Sequence, residues 1–262
     1  MNPFGSLQDY RLRPIPDQAG ARLRKVGFRA HPINAAAERF AEPLEDARIA
    51  GLAGENAYYS SRTPPYYRRI DGAVEGLFLR RGVTARLVAV NARLAGAGLE
   101  LFLFDGWRPR AVQAYFHDVW MPQHLAERQP GLEGAQLLAE VEKYWSAPSG
   151  TGEAGNEKSP APHATGGATD LTLRWRGGAP LWMGSLFDDV TAIAHRDHFE
   201  RGDDLSFSDF EARANRRLLH WVMADEGFIG HPDEWWHFSF GDQLWARLGG
   251  FEAALYGLSS PP

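Results

Sequence analysis

The chain has 262 residues, 44% of them hydrophobic, which is enough to bury a sizeable core, and it reads as one domain over 1–262. A net charge of -5 with a pI near 6.0 excludes the basic face that a phosphate backbone requires, so nucleic acid is not an expected partner. Cysteine is absent, which excludes disulfides and thiolate ligands and leaves nitrogen and oxygen donors for any metal.

The amino terminus, Met1 to Asp9, lacks the basic start and apolar run of a secretory signal, and no long uncharged stretch could span a bilayer. No membrane partner is expected, and the expected location is cytoplasmic. Residues 1–80 read as a variable N-terminal part; the first sixty lack sustained periodicity and suggest loops and short elements. Ser60 to Tyr67 is turn-like or extended, because proline fixes its own φ and keeps the preceding residue out of the helical region.

The core of the reading spans 81–245. Leu, Val and Ala recur at helical spacing from Val83 to Ala97 until Gly98 breaks the pattern. Leu99 to Phe104 then reads as a short buried strand that delivers Asp105-Gly106-Trp107-Arg108-Pro109. Pro109 suits the first turn of a helix carrying Val112, Tyr115, Phe116 and Val119, and another helix is expected from about Glu133 to Trp145. A long Gly-, Ser- and Pro-rich loop over 146–162 leads to His163. Beyond it, Asp170 to Trp175 reads as a strand, Asp209 to Glu226 as an amphipathic helix, and Glu234 to Phe240 as an aromatic-rich strand. Strands separated by helices at irregular intervals predict an α+β fold.

Two segments carry the chemistry. His163 and Asp170 flank Gly166-Gly167, where a tight turn lets a loop residue and a strand residue converge. In Asp233-Glu234-Trp235-Trp236-His237, the aromatic residues argue for a strand, on which Glu234 and His237 would point oppositely. The conflict eases if Glu234 lies in the loop after Pro232. The candidate assignment makes His163, Asp170 and His237 ligands of one Zn2+ ion, since three protein ligands leave a position for water, with Glu234 as general base. Arg108, restrained between Trp107 and Pro109 and permanently charged, is the candidate stabiliser of a developing oxyanion. Each residue taken alone also has a structural reading: backbone-bonded His and Asp, a solvated Glu234, a salt-bridged Arg108.

Phe104-Asp105-Gly106-Trp107-Arg108-Pro109, the run from His163 through Gly166, Ala168 and Asp170 to Leu173, and Glu234-Trp235-Trp236-His237 together resemble the D-alanyl-D-alanine dipeptidases of the vancomycin-resistance, VanX-like type. Met183-Gly184-Ser185-Leu186-Phe187-Asp188 is a weaker fourth match. The resemblance implies the same zinc ligands, base and arginine, with Asp188 binding substrate. It also implies a small antiparallel sheet with helices around it, as in zinc D,D-carboxypeptidases and the Hedgehog signalling domain, and a small D,D-dipeptide as substrate. Two departures stand out: Ala161 where the family commonly has Ser, and Trp182 where it usually has Asp.

Other readings are a related zinc D,D-carboxypeptidase or endopeptidase acting on cell-wall peptides, a non-catalytic zinc-bearing binding module, and a non-haem iron facial triad. Retention of Glu234 and Arg108 counts against the last two. His195-Arg196-Asp197-His198 is expected to be a solvated helix end. Of the remaining histidines, His31, His117, His124 and His220 read as structural or surface residues, and His231 as an orienting neighbour of the site.

Overall fold

In the computed structural model, which describes residues 3–149, 159–202 and 204–260, the apolar spacing of the third helix is realised directly. Val83, Leu87, Val90 and Leu94 are completely buried along one face of a helix over Arg81–Leu94, each contributing on the order of 2 kcal/mol by leaving water. Gly98 then takes a left-handed conformation, φ 69°, and turns the chain into the next strand.

In chain order the elements are α1 (Pro3–Leu12), α2 (Ala19–Lys25), β1 (Leu44–Asp46), β2 (Ala53–Gly54), β3 (Phe78–Arg80), α3 (Arg81–Leu94) and β4 (Leu99–Asp105). They continue as α4 (Arg110–Ala114), α5 (Met121–Arg128), α6 (Gly134–Val141), β5 (Ala168–Trp175), α7 (Phe207–Ala224), β6 (Ile229–Gly230), β7 (His237–Ser239) and α8 (Gln243–Gly249). A five-stranded sheet has the order β2-β4-β5-β7-β6, antiparallel except where β2 runs parallel to β4, and β1 pairs with β3 separately. This is the expected α+β architecture. One hydrophobic cluster runs from Leu7 to Tyr256 and includes residues of the sheet, α3 and α7.

Several boundaries differ from expectation for identifiable reasons. The N-terminal sixty residues hold two helices: α1 packs on α7, and α2 buries none of its residues. Instead, α2 is tied down by charge, with Arg22 pairing to Asp197 at 2.5 Å and to Asp233 at 2.7 Å, and Lys25 to Asp233 at 2.6 Å. A short helix anchored through ion pairs leaves no apolar period to read. α4 and α5 form one helical run through a π-helical stretch at Tyr115–Trp120. α6 ends at Val141 rather than near Trp145, because the chain turns to bury Trp145, stacked on Phe116 at 4.3 Å between centroids. β7 begins at His237, so Glu234 lies in the preceding turn.

The segment His195 to His198 is not a solvated helix end. His195 follows one 3-10 turn and His198 opens another, while Arg196 and Asp197 are both buried. Arg196 donates to the carbonyls of His231, Glu234 and His237 at 3.0, 3.1 and 2.8 Å, strapping the loop that carries Glu234 and β7. Bonds to three carbonyls, of which that of His237 also accepts from the His231 amide at 3.0 Å, outweigh the tendency of a cation to seek water.

Candidate metal centre

Three central strands bring the site together by register. Asp105 of β4 pairs with Asp170 of β5, and Asp170 pairs with His237 of β7, so the three side chains form one cross-strand row. The row exists because of an irregularity between Leu103 and Asp105, a bulge that re-aims the end of β4. His163 arrives from a short 3-10 turn, Pro162–Thr165, closed by Gly166 at φ 71°. A Cβ on Gly166 would lie 2.2 Å from Leu44 Cδ2, so any larger residue would also have to displace that side chain.

His163, Asp170 and His237 are all buried, and one donor atom from each lies within 4.8 Å of the others. His163 Nε2 is 3.1 Å from His237 Nδ1 and 3.3 Å from Asp170 Oδ2, and His237 Nδ1 is 3.1 Å from Asp170 Oδ1. Tetrahedral donors at ordinary zinc bond lengths stand about 3.4 Å apart, so the spacing fits a single small divalent ion. The tautomers agree: the His163 Nδ1–H donates to Gly106 O at 2.8 Å, leaving Nε2 with its lone pair. With the His237 Nε2–H donated to Ser239 Oγ at 3.2 Å, its Nδ1 is free in the same way. Asp170 Oδ1 is buried and accepts no hydrogen bond among the described residues. Burial alone would raise the Asp170 pKa, but His163 and His237 beside it hold the carboxyl well below the usual carboxylate range.

Glu234 is buried beside this cluster, its Oε2 3.7 Å from His237 Nδ1 and its Oε1 3.7 Å from His231 Nδ1. Burial, reinforced by the charge of Asp170, pushes its carboxyl up to about 8. Positive charge at the three donors acts in the opposite sense and favours the ionised form. His231 thus sits against Glu234, its ring 5.5 Å from that of His237.

Arg108 is also buried. Its Nε donates to Asp105 at 2.8 Å, its Nη1 to Gln113 at 3.0 Å, and its Nη2 to both Tyr58 at 3.1 Å and Asp170 at 3.0 Å. Burial works against its charge, but Tyr58, Asp105 and Asp170 raise its pKa and keep it protonated. Asp188, at φ 58°, accepts from the hydroxyls of Tyr58 and Tyr66, each at 2.9 Å. Burial first, and the charge of Asp170 second, push its carboxyl up to about 8. All six expected site residues line one pocket of about 50 Å³, together with Phe28, Gln113, Tyr144, Trp145, Trp236 and others.

The two departures fall in different places. Ala161 is buried, its amide donating to Ser149 Oγ at 2.8 Å, whereas Trp182 is half exposed and does not line the pocket. Sequence reasoning missed Asp105, Gln113, Tyr58, Tyr66 and Phe28. Asp105 shares a motif with Arg108, so its proximity was a usable signal; Phe28 and Tyr58 come from the stretch without periodicity, and Tyr66 from the turn-like segment that follows it.

A buried His-Asp-His cluster with a carboxylate and an arginine at its edge is the constellation of a metal-dependent hydrolase. Comparison with known proteins gives the family. The D-Ala-D-Ala dipeptidase family model matches residues 69–249. A D-alanyl-D-alanine dipeptidase of Synechocystis is 34% identical over 222 residues, covering 78% of this chain and 84% of that protein. The corresponding protein of Enterococcus faecalis is 29% identical over 180 residues, covering 65% and 79%. The chain belongs to the D-Ala-D-Ala dipeptidase family and is a peptidase. A solved structure of the D,D-pentapeptidase VanY in complex with Zn(II) aligns over 92% of this chain and 96% of that one, but a TM-score of 0.41 at 13% identity is too low to argue from. Among the described residues, no helix is long and apolar enough to cross a membrane.

Proposed function

We propose that this peptidase is a single-domain, zinc-dependent dipeptidase that hydrolyses D-alanyl-D-alanine or a closely related D,D-dipeptide. The observation that carries the reading is the meeting of His163 Nε2, Asp170 and His237 Nδ1 at donor spacings of 3.1 to 3.3 Å, with the Glu234 carboxylate 3.7 Å from His237. A zinc ion at these donors supplies Lewis acidity at the scissile carbonyl and brings the pKa of water toward about 7.

The chain's own residues do the rest. Glu234 accepts a proton from the attacking water and returns it to the departing amine, since one positioned carboxylate serves as base and then as acid. Arg108, locked by Asp105, Gln113 and Tyr58, offers its remaining N–H to the developing charge on the carbonyl oxygen. The Asp188 carboxylate, oriented by Tyr58 and Tyr66, receives the substrate's amino end, and an ammonium there draws it into its ionised form.

The small pocket, walled by Phe28, Tyr144, Trp145 and Trp236, suits a dipeptide better than an extended chain. The zinc-loaded protein is expected to cleave D-Ala-D-Ala with a kcat/KM at least about a hundredfold above that for L-Ala-L-Ala or for a cell-wall pentapeptide ending in D-Ala-D-Ala. Release of free D-alanine, followed for the three substrates side by side, checks this. Equal or faster cleavage of the pentapeptide would replace the dipeptidase reading with that of a carboxypeptidase.

A further inference from the structure

Trp145 lines the metal pocket alongside Arg108, Gln113 and Asp170, and no part of the reaction described so far uses it. Its ring is fixed in place: it stacks on Phe116 at 4.3 Å with an interplanar angle of 11°, meets Tyr58 edge-on at 6.3 Å, and lies 5.0 Å from the Arg108 guanidinium carbon. The residue is 3% exposed, and its Nε1–H is buried with no acceptor among the described residues.

That is unusual for this protein. Trp107, Trp221, Trp235 and Trp245 each donate the same N–H, to Ser259 O, Arg13 O, Ser185 Oγ and Gly227 O at 2.9 to 3.0 Å. A buried indole N–H without a partner is costly and normally finds one. Arg108, meanwhile, has four of its five N–H groups committed to Asp105, Gln113, Tyr58 and Asp170. Asp188 and Glu234 line the same pocket and are assigned above to the substrate's amino end and to the attacking water. A dipeptide brings more acceptor oxygens into this pocket than the single remaining Arg108 N–H can satisfy, and Trp145 stands with Tyr144, Ser146 and His231 among the other donor-bearing residues that line it.

We propose that Trp145 is a substrate-binding residue whose Nε1–H donates to an oxygen of the bound dipeptide beside Arg108. The proposal rests on the peptidase reading above and adds to it a neutral donor. A peptide carbonyl and a terminal carboxylate share this acceptor chemistry, and the test separates them.

Trp145→Phe removes the N–H while keeping an aromatic ring beside Phe116, at the loss of part of the indole's stacking surface. In the zinc-loaded enzyme it is expected to lower kcat/KM for D-Ala-D-Ala by roughly tenfold to a hundredfold with zinc content unchanged. A loss in KM that vanishes when the substrate's carboxylate is amidated assigns the bond to the carboxylate; a loss in kcat that survives amidation assigns it to the carbonyl. Kinetic constants within about twofold of native for both substrates overturn the proposal while leaving the peptidase reading intact.

A second measurement leaves Trp145 in place. In Glu234→Gln protein, the Trp145 indole 15N–1H resonance, assigned through its contacts with Phe116, is expected to move downfield on saturation with D-Ala-D-Ala. An unmoved resonance at saturation overturns the proposal. If the native zinc-loaded protein neither binds nor cleaves the dipeptide, the D,D-dipeptidase reading fails and takes this proposal with it.

Discussion

Glu234→Gln is expected to lower kcat for D-Ala-D-Ala by between about a hundredfold and ten-thousandfold while zinc stays bound, the range that a positioned acid-base group contributes. The amide matches the carboxylate in shape, so the buried turn before β7 keeps its packing, and the Arg196 strap, which grips the Glu234 carbonyl rather than the side chain, is untouched. Only proton acceptance is lost. KM is expected to move far less than kcat, because the side chain acts on the reacting water and not on ground-state binding. Steady-state kinetics with zinc quantified in the same samples checks this. Near-native kcat with zinc retained would remove Glu234 from the reaction and leave His231, its neighbour at 3.7 Å, as the alternative base.

Asp170→Asn is expected to strip the site of metal and abolish turnover. The carboxylate does two jobs at once: it lies 3.1 and 3.3 Å from the two imidazole donors, and its Oδ2 accepts from Arg108 at 3.0 Å. Exchanging one oxygen for an NH2 group introduces a donor opposite either the guanidinium or the metal position and removes the negative charge that favours a divalent cation. Loss of an outer partner of a ligand costs about tenfold to a hundredfold in affinity, so loss of a ligand is expected to cost more. Zinc per chain after dialysis against a weak chelator, with circular dichroism to confirm the fold, measures it. His237→Ala is expected to behave alike. Retention of one zinc per chain by both variants would place the metal elsewhere.

Much of this site was legible in the residues themselves. His163, Asp170, Glu234 and His237 each have a structural reading alone, and it is their combination in two short segments of a chain without cysteine that points to a metal site. The tension between a three-residue spacing and a strand at Glu234 and His237 pointed to Glu234 in the approach turn, and that is its position in the structure. What spacing did not carry is pairing: that Asp105 stands beside Asp170 depends on the bulge after Leu103, a one-residue irregularity invisible in the alternation of β4. Phe28 reaches the pocket, and Tyr58 and Tyr66 reach its Asp188, from a stretch organised by ion pairs and turns, where hydrophobic periodicity has nothing to report. Trp145 was read into the end of a helix, and it is the early end of α6 that turns it toward the pocket. At His195 to His198 the charged composition suggested solvent exposure, while buried carbonyls of the Glu234 loop made the arginine an internal strap.

The most direct test of the central claim is D-alanine release from D-Ala-D-Ala by metal-free native protein as zinc is added back, with bound zinc counted at each step. The site described here predicts no hydrolysis without zinc and a rate that rises in proportion to occupancy until about one ion per chain is bound, then levels. Hydrolysis that is independent of zinc, or a fully zinc-loaded protein that leaves the dipeptide intact, would contradict it.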